Sequence, residues 1–152
     1  MRKIVLSVIL ITLLVITVFS NFILLPKPDP VPPVAFDTGD TAWMIVATAL
    51  VLIMTPGLGF FYGGMVGKKN VISTMLQSFM AMIIVTILWV IIAFGLSFGP
   101  TIGGVIGNPI PNLFFQGVGV KTAWSLAPTI PLMLFALFQA KFAIITPALI
   151  TG

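Results

Sequence analysis

Two phenylalanines near the C-terminal end of the sequence, Phe138 and Phe142, have the spacing of neighbours on one face of a helix. The face of an aromatic ring attracts a cation by about 0.5–2 kcal/mol, so the pair could hold one. The pair could equally be ordinary apolar surface, because the chain contains 13 phenylalanines. Spacing alone leaves both interpretations open.

Two polar residues, Gln139 and Lys141, lie between these phenylalanines. The amide of Gln139 suits a hydrogen bond to a neighbouring helix. A charge at Lys141 costs at least about 2.5–3.5 kcal/mol if it lies at the centre of a membrane-spanning helix. The lysine must then extend to the interface, face a polar crevice or pair with another helix. Around a helix it lies roughly 60° from Phe138 and 100° from Phe142, so it can face away from them.

Other kinds of chemistry have little support in this sequence. Histidine and cysteine are absent, and we find no nucleophile–base pair, metal-ligand cluster or phosphate-binding loop. We therefore predict that the protein is not an enzyme and has no catalytic residues, metal site or cofactor. The net charge of +4 does not indicate nucleic acid as a partner, because the seven basic residues are scattered.

The elements that position these residues follow from composition. Only 7% of residues are charged and 59% are hydrophobic, whereas about 25% charged residues is typical of soluble domains. A spanning helix needs about 20 predominantly apolar residues, and no segment has the polar face of a soluble helix or the alternation of a barrel strand. The predicted fold is an all-α, polytopic transmembrane protein, with its lipid bilayer as partner. The apolar segments are 4–25, 43–62, 71–98 and 126–150.

Residues 1–25 are predicted to be a signal peptide or an uncleaved N-terminal anchor, since Arg2 and Lys3 precede an apolar run. We expect cleavage. Residues 26–39 then form a Pro-rich extracytoplasmic linker, and residues 40–152 form the membrane domain.

The basic residues also predict an orientation. Lys68 and Lys69 lie in a short connector, residues 67–70, between two apolar segments. Because cytoplasmic loops collect Lys and Arg, this connector should be cytoplasmic. Residues 99–121 and the mature N-terminus should then be extracytoplasmic.

Three parts of the sequence resemble the Amt family of ammonium transporters, in the right order and at the right spacing. The first is residues 48–66, TALVLIMTPGLGFFYGGMV, which continues into Lys68-Lys69-Asn70-Val71. The second is Leu88-Trp89 followed by residues 94–99, FGLSFG. The third is residues 138–152, FQAKFAIITPALITG. The chain thus resembles the N-terminal part of such a transporter: a signal segment and the first three core helices.

The resemblance implies a homotrimeric inner-membrane protein of eleven core helices arranged as an inverted repeat, three of them in this chain. The substrate would be ammonium, passed on as ammonia. Phe142 matches the aromatic residue of the family's outer cation site and gate, Phe138 stands above it, and Gln139 and Lys141 are possible pore-adjacent polar residues. The family's pore histidines have no counterpart here, so transport would be incomplete in this chain. A PII-type cytoplasmic regulator is a further implied partner. The alternatives are an Amt-like ammonium sensor domain and a non-transporting truncated membrane protein.

Overall fold

The computed structural model describes residues 35–151, and the predicted signal peptide or anchor and most of the predicted linker lie outside them. Helix α1 is Thr38–Met65. Helix α2, Val71–Leu88, runs through a π-helical turn, Trp89–Ala93, into helix α3, Phe94–Phe98. Helix α4 is Leu132–Thr151. The predicted all-α class is confirmed, with a small two-stranded hairpin in addition.

Three helices in the described residues are long and apolar enough to cross a membrane, namely Thr38–Met65, the continuous Val71–Phe98, and Leu132–Thr151. Their mean hydropathy values are 2.1, 2.8 and 1.8. Much of their outer surface is apolar and exposed, as at Trp43 (71%) and Ile150 (80%). Such a surface is suited to lipid or to other membrane helices rather than to water.

Helix α1 begins at a capped turn before its most apolar part. The Asp37 carboxylate accepts a hydrogen bond from the backbone N–H of Asp40 at 2.8 Å, which satisfies one of the free donors of the first turn. The hydroxyl of Thr41 donates to the Asp37 carbonyl at 2.7 Å. These caps place the start of the helix at Thr38, ahead of the predicted start near Trp43.

Small residues let helices α1 and α2 approach closely. The buried residues of α1 are Thr55, Gly59 and Gly63, which recur every fourth position and so form one stripe. A Cβ atom at Gly59 would lie 3.4 Å from the Ser78 Cβ atom, and one at Gly63 would lie 3.0 Å from the Met75 Cγ atom. The stripe is a small-residue contact of the kind that membrane helices use in place of a hydrophobic driving force.

Helices α1 and α4 run parallel, with α2 antiparallel to both. The backbone N–H of Asp37, at the start of α1, donates to the carbonyl of Thr129, just before α4. At the other end, the Tyr62 hydroxyl donates to the Leu149 carbonyl at 3.3 Å. The three helices pack against one another in pairs, so they form a triangular bundle.

Residues 99–131 form an ordered cap over one end of this bundle, which we call the loop end. The cap contains a hairpin, Thr101–Ile102 with Ile106–Gly107, and a 3₁₀ helix, Ile110–Phe115. It lies directly on the helix backbone, because a Cβ atom at Gly95 would fall 2.7 Å from the Cα atom of Pro109.

Helix α4 begins at Leu132, so the prediction of an apolar helix from about residue 126 was wrong at this end. Pro128 and Pro131 interrupt the segment, and the residue before a proline is biased away from helix. A bridge between Trp124 and Ala127 folds it back instead. The backbone N–H of Leu132 then donates to the Thr122 carbonyl at 2.7 Å, which caps the helix with the loop.

Aromatic side chains join the cap to the helices. Phe98 is the centre of this group: its ring centroid lies 6.2 Å from Trp89, 5.3 Å from Trp124 and 5.0 Å from Phe135. All three contacts are edge-to-face, an arrangement that ring quadrupoles favour. We call the six rings at the loop end the aromatic cluster: Trp89, Phe94, Phe98, Phe115, Trp124 and Phe135.

Candidate cation site on helix α4

The structure brings Phe138 and Phe142 together as a ring pair on helix α4. Their ring centroids are 5.1 Å apart at an interplanar angle of 70°. Phe142 is 41% exposed and Phe138 is half-buried. Ring surface is therefore available to a ligand, and the spacing of one helical turn places both rings on one face.

This ring pair faces away from the other two helices. The packed side of α4 is a stripe at every fourth residue, comprising Ala136, Ala140, Ile144 and Ala148, all buried. Phe142 follows Ala140 by two positions, which is about 200° around the helix. The ring pair consequently projects from the three-helix bundle, where a further surface could complete a pore.

The backbone beneath the ring pair is held in an altered turn of the helix. Pro147 lies inside α4 and offers no N–H to the carbonyl one turn earlier. The hydroxyl of Thr146 donates to the carbonyl of Phe142 at 2.9 Å. This hydrogen bond gives the Phe142 carbonyl a side-chain donor in the turn that precedes the proline.

Lys141 lies between the packed stripe and the ring pair, about 100° from Ala140 and from Phe142. Its side chain is half-buried, as is that of Gln139. Within residues 35–151 the carboxylates are those of Asp37 and Asp40, at the start of α1. They lie at the loop end, so Lys141 has no carboxylate beside it among these residues.

Sequence reasoning missed the connection between this site and helix α2. The indole N–H of Trp89 donates to the carbonyl of Ala136 at 3.1 Å, and the bond is buried. Ala136 precedes Phe138 by two residues. The available signal was the concentration of aromatic residues around the ends of the apolar segments, which is typical of membrane interfaces.

Comparison with known proteins identifies the family of this chain. The model of the Ammonium Transporter Family matches residues 42–152, which include all three helices almost entirely. The chain belongs to the ammonium transporter family. The resemblance found in the sequence is thereby confirmed, and the protein is a multi-pass membrane protein.

Individual members of the ammonium transporter family show how much of such a protein the chain represents. The ammonium transporter of Mycobacterium tuberculosis (strain H37Rv) is 45% identical over 129 residues, which is 76% of this chain and 27% of the relative. The ammonium transporter of Bacillus subtilis is 44% identical over 114 residues, which is 75% of this chain and 28% of the relative. The ammonium transporter of Aquifex aeolicus is 38% identical over 141 residues, which is 91% of this chain and 31% of the relative. The chain thus spans less than a third of the length of these relatives.

A solved structure shares the arrangement of the helices. The Mep2 mutant delta442 from Candida albicans matches with a TM-score of 0.64 at 30% sequence identity. The match covers 75% of this chain and 28% of that one. The helical transmembrane fold is thus shared with a protein of known structure.

Proposed function

We propose that this sequence belongs to an ammonium transporter and that helix α4 supplies its outer cation site and gate, with Phe142 as the gate residue and Phe138 above it. The observation that carries the proposal is the ring pair: two rings 5.1 Å apart, partly exposed, on a membrane-spanning helix of a family member. Gln139 and Lys141 are the polar residues next to this path.

The chemistry of the ring pair suits an ammonium ion. Ring faces attract the cation by about 0.5–2 kcal/mol, which offsets part of its dehydration. A narrow apolar constriction also excludes water and hydrated ions. In this mechanism ammonium is recruited at the ring pair, gives up its proton at the entrance, and passes onward as ammonia through an apolar pore.

The remaining steps need residues outside this sequence. It contains no histidine, so the groups that handle the proton along the pore would come from other helices of a full-length transporter. We propose that this transporter is a homotrimer of the inner membrane, with eleven helices in each subunit and a PII-type regulator as a cytoplasmic partner.

The proposed orientation places the connector at residues 67–70 in the cytoplasm and the loop end outside. The connector contains Lys68 and Lys69, both exposed, in agreement with the preference of basic residues for the cytoplasmic side. Since α4 starts at the loop end, Phe138 lies in its outer half and Phe142 lies at its middle.

The test is uptake by proteoliposomes that contain a polypeptide of the relatives' full length including this sequence. We expect saturable ammonium-dependent transport that a large excess of potassium does not inhibit, because potassium has no proton to give up and cannot pass onward as a neutral molecule. If the protein is correctly inserted and uptake still equals that of protein-free vesicles, transport is excluded. The alternatives are then an ammonium sensor domain or a non-transporting membrane protein.

A further inference from the structure

We infer that Trp89 is a positioning residue for the ring pair. Its hydrogen bond to helix α4 fixes the height and the rotation of that helix, and thereby the place of Phe138 and Phe142. The inference rests on the proposed function of the ring pair, but it concerns a different helix and a different contact.

The contact itself is short, buried and specific. Trp89 is 6% exposed and Ala136 is fully buried. The indole nitrogen lies 3.1 Å from the Ala136 carbonyl oxygen. An indole N–H that is buried without an acceptor carries a desolvation penalty, so this pairing excludes packings in which α4 slides or turns. A slip of one helical turn would move the acceptor by about 5.4 Å.

Contacts within its own helical segment also hold the Trp89 indole in place. Trp89 opens the π-helical turn Trp89–Ala93, and the backbone N–H of Phe94 donates to the Trp89 carbonyl. The extra residue in this turn rotates the helix that follows it. Phe94 and Phe98 thereby return towards the indole, with ring centroids 6.0 and 6.2 Å from it.

The same aromatic contacts reach α4 beside the acceptor. The Phe98 and Phe135 rings meet edge-to-face at 5.0 Å, and Phe135 is the residue before Ala136. One face of α4 is thus fixed by a hydrogen bond and a ring contact at adjacent residues. The ring pair follows within two turns on the opposite face, so a rotation of α4 at Ala136 would displace both rings.

The decisive variant is Trp89→Phe, which keeps an aromatic ring in the cluster and removes the N–H donor. Trp124→Phe is the matched control, because it shrinks a ring of the same cluster and leaves the bond to Ala136 untouched. In the full-length transporter we expect Trp89→Phe to raise the KM for ammonium and lower the ammonium-to-potassium selectivity by about threefold or more, the effect of losing one buried hydrogen bond. Trp124→Phe should change neither quantity.

A second measurement is independent of transport. This sequence has no cysteine, so Phe142→Cys provides a unique thiol within it. We expect its rate of labelling by a small impermeant reagent to change when Trp89→Phe is added and to stay the same with Trp124→Phe. Should Trp89→Phe fail to insert, Trp89→Met also removes the N–H donor while keeping an apolar side chain, and it should alter labelling in the same way.

The two readouts separate the two proposals. Unchanged labelling, with a lower thermal midpoint, would show that the Trp89 bond only stabilises the bundle and would overturn the inference. Altered labelling, together with no transport by the parent protein in which Phe142 is intact, would support the positioning role and count against the proposed function. Altered labelling together with altered KM and selectivity supports both.

Discussion

Phe142 and Phe79 are phenylalanines of nearly equal exposure, 41% and 40%, on two different membrane-spanning helices. Phe142 belongs to the ring pair, whereas Phe79 is on α2, outside it. We expect Phe142→Ala to change the ammonium flux or the selectivity over potassium, because it removes a cation–ring contact and widens the gate. Phe79→Ala should mainly reduce stability, with flux per inserted molecule unchanged.

The comparison is made by uptake assays normalised to the amount of correctly inserted protein. Equal losses for the two variants would indicate that both rings serve packing alone. An unaltered flux and selectivity for Phe142→Ala would show that the gate lies elsewhere.

Lys141 is a half-buried lysine without a carboxylate beside it in residues 35–151. We expect Lys141→Met to increase the amount of folded protein in the membrane, because a central charge costs about 2.5–3.5 kcal/mol on insertion. Since the side chain is directed about 100° away from Phe142 around the helix, flux per molecule should change by less than about threefold, the effect of a partly screened charge that does not face the path.

The amount of folded protein in isolated membranes checks the first expectation, and uptake per molecule at low ammonium concentration checks the second. Gln139→Met is the control, because it replaces a neutral side chain with methionine. A rise in flux of about tenfold or more would show that the lysine side chain faces the cation path, where its charge repels ammonium.

The residues of the site differ in how far sequence reveals them. The ring pair was predictable, because spacing in a single helix decides that Phe138 and Phe142 are neighbours. The partner of Trp89 was not, because its acceptor is a backbone carbonyl 47 residues away. Every residue has such a carbonyl, so sequence alone does not single out the one at Ala136.

At the scale of helices, the glycines of α1 provide a direct test of the packing. Gly63 is buried and would place a Cβ atom 3.0 Å from Met75 Cγ, whereas Gly64 has nothing within 4 Å. We expect Gly63→Leu to destabilise the bundle by about 1–3 kcal/mol through overpacking. Gly64→Leu should be neutral or slightly stabilising, because leucine favours helix over glycine.

Unfolding monitored by circular dichroism in detergent measures the difference between these adjacent positions. Similar losses at Gly63 and Gly64 would contradict the packing of α1 against α2, since only one of the two positions faces that helix.

The ends of the helices were harder to predict from the sequence than their apolar centres. The start of α1 depends on the cap by Asp37, a local signal that the apolar pattern alone did not use. The start of α4 depends on the loop, because carbonyls at Gly119 and Thr122 accept its first N–H groups. Residues 126–131 carry no charge and include Leu126 and Ile130, so the lack of charge joined them to the helix that follows.

For the molecule as a whole, the orientation in the membrane is the first property to test. Cysteines placed singly at Lys69 and Asn112 can be exposed to an impermeant thiol reagent in intact cells. We expect labelling at 112 and not at 69, because the basic connector should be cytoplasmic and the loop end external.

Both positions should react after the cells are broken, which shows that each thiol is accessible. Labelling at 69 but not at 112 in intact cells would reverse the orientation, and would place the ring pair at the inner side of the pore.

The pairwise packing of the three helices bears on the order in which the protein is made. Helix α2 can meet α1 across the five residues Val66 to Asn70, and α4 completes the bundle through its contacts with both. Neighbouring segments with short connections assemble quickly, and chains fold from the N-terminus during synthesis. The three-helix unit can therefore close as soon as α4 leaves the ribosome, so the ring pair would reach its position on the surface of the bundle as soon as its own helix has been made.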